Sequence, residues 1–140
     1  MRIELKLLIG FVLAVVLGLY WFLSGVQDAF SGTYYRIELH SADNRKLYIK
    51  SHNWGLSGDH QLTVIETDEE REFEVDSTKQ IIFKGLEPFL YRASNDTLFL
   101  VLREKSTIPN RFNSTWTIIQ KEVDNRAMKK LRRDPELKGI

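Results

Sequence analysis

The chain has 140 residues, no cysteine, 11% aromatic and 28% charged residues, and a formal net charge of +1. With eight Gly and three Pro, this composition excludes collagen-like, coiled-coil, disulfide-framework and wholly disordered classes, and the length allows one small domain. The averages conceal a division: residues 1–27 hold three charged side chains, Arg2, Glu4 and Lys6, whereas residues 28–140 hold 18 basic and 18 acidic ones. An electrically neutral domain argues against nucleic acid as a partner, because that binding draws on a net basic surface.

Between Leu7 and Leu23 no side chain is charged or strongly polar, and the uncharged stretch runs on to Gln27. At ~1.5 Å per residue a helix of this length reaches ~30 Å, the thickness of a bilayer's hydrocarbon core. Apolar residues lie on every side of it, so it reads as a membrane-spanning anchor rather than a surface helix. Tyr20, Trp21 and Phe22 suit the headgroup region at one end. Arg2 and Lys6 precede the span and the next basic residue is Arg36, a bias that predicts a cytoplasmic N-terminus and an extracytoplasmic domain. The competing reading is a cleaved signal, with a cut after Ser31 and a secreted product. Gly10, Ala14 and Gly18 fall at i, i+4 and i+8, a small-residue face suited to helix contact and a homodimer.

Residues 28–33 read as a linker, 34–121 as the exported β-domain and 122–140 as a C-terminal helix and tail. Short runs rich in β-branched and aromatic residues recur between turn-forming clusters, which predicts an all-β domain of about eight antiparallel strands, a sandwich or a barrel. The expected strands are 34–40, 46–51, 61–67, 71–76, 79–84, 89–93, 97–104 and 115–121. Tyr35, Ile37 and Leu39 alternate with polar residues, as do Leu47 and Ile49 with Tyr48 and Lys50. Phe73 and Val75 are expected to face inward from the fourth strand. The run Leu98-Phe99-Leu100-Val101-Leu102 is apolar on both faces and predicts a central strand. Val123, Ala127, Met128 and Leu131 share one helix face, and Asp134-Pro135 should end that helix.

Charge is uneven. Residues 66–76 carry seven acids against Arg71, and residues 126–133 carry five basic side chains and no acid. The first reads as the solvated side of a strand or a patch for a basic partner. The second reads as the wet side of a helix or a surface turned to anionic lipid.

Residues 52–60, His52-Asn53-Trp54-Gly55-Leu56-Ser57-Gly58-Asp59-His60, read as a loop with positive φ angles, and Trp54 is an unusual residue to find there. Trp54 with Asp59, His52 and His60 is the candidate ligand-binding set; the alternative is that Trp54 plugs one end of the core. His40, His52 and His60 are spaced 12 and eight positions apart, which matches no compact zinc motif, so no metal or other cofactor is expected. No nucleophile elbow, zincin motif or phosphate-binding glycine loop occurs, and no catalytic residue is assigned. Asn95-Asp96-Thr97 and Asn113-Ser114-Thr115 match the N-glycosylation acceptor pattern. The expectation is a single-pass membrane protein whose β-domain binds or organises a protein or glycan partner at the extracytoplasmic surface. The alternative is a glycan-binding or hydrolytic domain working through the 52–60 loop.

Overall fold

The computed structural model describes residues 2–30, 32–55, 58, 60–69, 73–86 and 89–140, and for residues 2–7 and 27–30 the backbone alone. The chain opens with helix α1 (Arg2–Phe30), whose apolar segment Leu8–Val26 has no part buried against the rest of the protein. The helix takes in residues 28–30 of the expected linker and leaves two residues before the first strand. Among the described residues eight strands and one short helix follow: β1 (Thr33–His40), β2 (Lys46–Trp54), β3 (His60–Glu66), β4 (Ile81–Lys84), β5 (Leu90–Ser94), β6 (Thr97–Leu102), β7 (Thr117–Glu122), α2 (Asn125–Leu131) and β8 (Lys138–Gly139). They form two four-stranded sheets, β1-β2-β3-β4 (sheet 1) and β7-β6-β5-β8 (sheet 2), and no barrel closes.

The period-2 alternation places the core. Leu47, Ile49, Ile65 and Ile81 of sheet 1 meet Tyr91, Leu98, Leu100 and Leu102 of sheet 2, with Trp116 among them. The odd and even residues of β6 serve two different interiors, because Val101 and Phe99 face the other way and pack with Leu90 against Met128 of α2. That is why the run 98–102 is apolar on both faces. Asp124 caps α2 by accepting a hydrogen bond from the Ala127 amide at 2.7 Å, and Val123 and Leu131 join Met128 on its buried side.

Two expectations about the sheets are corrected. The fourth expected strand is absent: described residues 73–76 lie outside any strand, residues 71–72 are outside the described set, and Val75 is half exposed. Residues 73–80 instead fold over the outer face of sheet 1, where Phe73 packs edge-on to Tyr34. The eighth strand comes from the tail, β8 pairing with β5. The strands are not all antiparallel either, since β6 and β7 run parallel. Residues 103–116 carry the chain back along the molecule, as a parallel pairing requires. The outer face of β2 is buried as well as the inner one, Tyr48 and Lys50 each being 1% exposed.

Both sheets share two ends. The near end is where β1 begins, two residues after α1; it holds Thr33 opposite Asn53, Trp54 opposite His60, and Lys84 opposite Leu62. The far end holds the turns at Asn44 and Asn95, both at positive φ as turn residues tolerate. Arg45 reaches Asp96 there at 3.8 Å.

Candidate functional site

Alternate side chains of a strand share a face, so His52 and Trp54 project together from the outer side of β2. The register brings His60 of β3 beside Trp54. The indole therefore lies between two imidazoles, with ring centroids 5.2 Å from His52 and 5.9 Å from His60. Phe73 extends the row, 5.4 Å from His52 and 6.1 Å from Tyr34. Trp54 is half-buried and is the last residue of β2 rather than part of a loop. It points to the outer face, and it is no plug of the core between the sheets. Gly55 and Gly58 do take positive φ, at 102° and 64°. Asp59 lies outside the described residues, as do Leu56 and Ser57.

Above this row passes Gly32, at φ 73°, so close that a Cβ there would stand 2.3 Å from the Asn53 carbonyl oxygen and 3.0 Å from both Trp54 Cβ and His52 Nε2. The aromatic row thus sits directly under the segment that enters from α1. His40 is elsewhere: six register steps separate the His40–Lys46 pair from the Tyr34–His52 pair, about 20 Å. His40 contacts Glu38 and Asn44 at the far end. Among the described residues no three metal-ligating side chains converge.

A second polar centre lies farther along the same face, and the sequence carried no signal for it. Lys50 Nζ meets Glu66 Oε1 at 2.5 Å, with the two side chains 1% and 10% exposed. Gln80 Nε2 donates to the other carboxylate oxygen at 2.6 Å and to the Glu74 carbonyl at 2.8 Å, while its own oxygen accepts from the Asp76 amide at 2.7 Å. The hydroxyl and amide of Thr78 hydrogen-bond Asp76 and hold its carboxyl below the usual range. Above the pair opens a cleft of about 590 Å³ lined by Lys50, Glu66, Asp76, Lys79, Arg111 and Asn113, among others. The buried ions satisfy one another and Gln80, so this centre works as a clamp fastening residues 74–80 to sheet 1.

In α1, Gly10, Ala14 and Gly18 are exposed along one face, and a Cβ at either glycine would meet nothing within 4 Å. Asn95 and Asn113 are both exposed. Together these features define a class of architecture: a two-sheet β-domain joined through two residues to a single long apolar helix. No protein-family model, curated protein or solved structure matches the chain.

Proposed function

We propose that the protein is a single-pass membrane protein, N-terminus in the cytoplasm, whose β-domain binds or organises a partner at the extracytoplasmic membrane surface. The observation that carries this reading is the apolar segment Leu8–Val26, no part of which is buried against the domain, joined almost without slack to β1. A soluble protein gains nothing by exposing so large an apolar surface, whereas a bilayer core of ~30 Å accepts a helix of this length. Beyond Val26 come four helical residues, ~6 Å, and then two more residues spanning at most ~7 Å. The near end of sheet 1, with its aromatic row, is thereby held close to the headgroups, a region that favours Trp and Tyr. Tyr34 and Tyr35, 40% and 58% exposed, belong to the same end.

Protease protection tests the orientation. Protease supplied on the extracytoplasmic side is expected to digest the domain, and digestion by protease supplied only on the cytoplasmic side would overturn the reading. The mass of the mature chain separates anchor from signal: an intact chain supports the anchor, and a product beginning at Gly32 shows a cleaved signal.

The small-residue face of α1 supports helix pairing within the membrane. Gly10→Ile together with Gly18→Ile is expected to lower self-association several-fold in a membrane-association reporter, through loss of close backbone approach. Unchanged association would remove this face from consideration.

A further inference from the structure

We infer that α2 and its basic flank form a docking surface for anionic lipid headgroups, which holds the β-domain against the bilayer beside its own anchor. The inference rests on the membrane-anchor reading and adds to it a specific contact. Its first support is position. Although α2 lies about 100 residues from α1 in sequence, the fold returns it to the near end. The Gly85 amide donates to the Gln61 carbonyl at 2.8 Å, and Gln61 is the neighbour of His60 opposite Trp54. Lys84 and Gly85 share a cleft with Leu102, Arg103 and Lys105, which puts the end of β6 at this end of the molecule. The Val123 amide donates to the Leu102 carbonyl at 2.9 Å, and α2 begins two residues later. Met128 then seats the helix on Leu90 and Val101.

The second support is charge. Arg126, Lys129, Lys130, Arg132 and Arg133 are all exposed, on a helix whose apolar side is taken up by sheet 2. The nearest acids in sequence are Asp124, which caps the helix, and half-buried Asp134, which accepts from the Glu136 amide at 3.0 Å; Glu136 beyond it is paired with Arg92 at 2.6 Å. Exposed Lys84 and Lys105 add to the same end. The acids of residues 66–69 lie toward the opposite end, where Glu69 approaches Lys46 at 3.5 Å, and Asp43 and Asp96 flank Arg45 there. Exposed Glu104 and Glu122 also lie at the near end, but the basic side chains of residues 126–133 with Lys84 and Lys105 outnumber them, whereas the acids named at the far end are paired with Arg45 and Lys46. The net basic end of the domain is therefore the one beside the anchor. In the field of an anionic leaflet such a distribution turns the basic end toward the membrane. A tether of two residues keeps α2 within reach of the headgroups, so the contact forms intramolecularly and costs little further translational entropy.

The test uses the full chain reconstituted into vesicles. The sequence holds no cysteine, so Asn125→Cys, at the exposed start of α2, and Asp43→Cys each give a single attachment point for a dye, at the near and far ends respectively. In bilayers of about 30% phosphatidylglycerol in phosphatidylcholine, a quencher carried on lipid headgroups is expected to quench the dye at position 125 roughly tenfold more than the dye at 43. That contrast should collapse in high salt, where the Debye length shrinks to ~3 Å. It should also collapse when Lys129→Gln, Arg132→Gln and Arg133→Gln are combined, with the circular dichroism of the domain unchanged. Equal quenching at both positions, or the same contrast in pure phosphatidylcholine, overturns the docking surface. Failure of the anchor reads out separately: a chain that does not co-float with either type of vesicle after alkaline extraction was never inserted, and the inference falls with it.

Discussion

Lys50→Ala is expected to destabilise the domain by about 3–5 kcal/mol, because it strips a buried carboxylate of its cation. Lys50 is 1% exposed and Glu66 is held between it and Gln80, so the orphaned charge has a single amide left to it among the contacts described above. The same network fastens residues 74–80 over sheet 1 through the Gln80 bonds to Glu74 and Asp76. The substitution should therefore also loosen that segment. Urea unfolding of the detergent-solubilised chain measures the first effect, and limited proteolysis within residues 67–80 the second. Lys50→Met combined with Glu66→Leu should recover most of the loss, since exchanging both ions for apolar groups of similar volume removes the desolvation cost. A loss below about 1 kcal/mol for Lys50→Ala would show that water entering the cleft solvates Glu66 adequately.

Gly32→Val is expected to break the joint between anchor and domain. At φ 73° a β-branched residue is strained by about 1–3 kcal/mol, and its Cβ would fall 2.3 Å from the Asn53 carbonyl oxygen. A backbone oxygen cannot step aside as a flexible side chain can, so the Thr33–Asn53 pairing at the start of β1 has to give. Gly85→Ala is the control: Gly85 has φ 89° but open space around its missing Cβ, and its cost should be confined to backbone strain of about 1 kcal/mol. If Gly32→Val unfolds at the same urea concentration as Gly85→Ala, the close approach of Gly32 to the aromatic row carries no energy. If it unfolds earlier and is cut sooner between α1 and β1, the seat of the anchor on Asn53 and Trp54 is part of the domain's stability.

The anchor-like helix, the all-β character and the inner faces of β1, β2 and β6 were legible because they are local. A run without charge, an alternation of two and a helix period are written in neighbouring residues, and each depends only on which side a Cβ points. The breaks between the expected strands at 41–45 and 94–96, where Asn44 and Asn95 turn the chain, were legible for the same reason. The burial of Tyr48 and Lys50 was not legible, because a strand's pattern does not say what passes over its other side. Burial of Lys50 depends on Glu66 and Gln80, 16 and 30 residues away. The fourth expected strand fails for the same reason: described residues 73–76 alternate well enough to be a strand, but the Phe73 ring packs on Tyr34 and His52 and the Glu74 carbonyl is taken by Gln80.

The candidate site divides in the same way. Sequence by itself singled out Trp54, His52 and His60 as an unusual group and residues 126–133 as a basic one, since residue type and spacing suffice for that. Only the tertiary structure decided that the indole lies between two imidazoles under Gly32, and that the basic helix ends up at the anchor's end of the sheets. Both follow from strand register and from the path of the chain through residues 103–116. These are set by contacts between residues far apart in sequence, whose mutual fit no local pattern records.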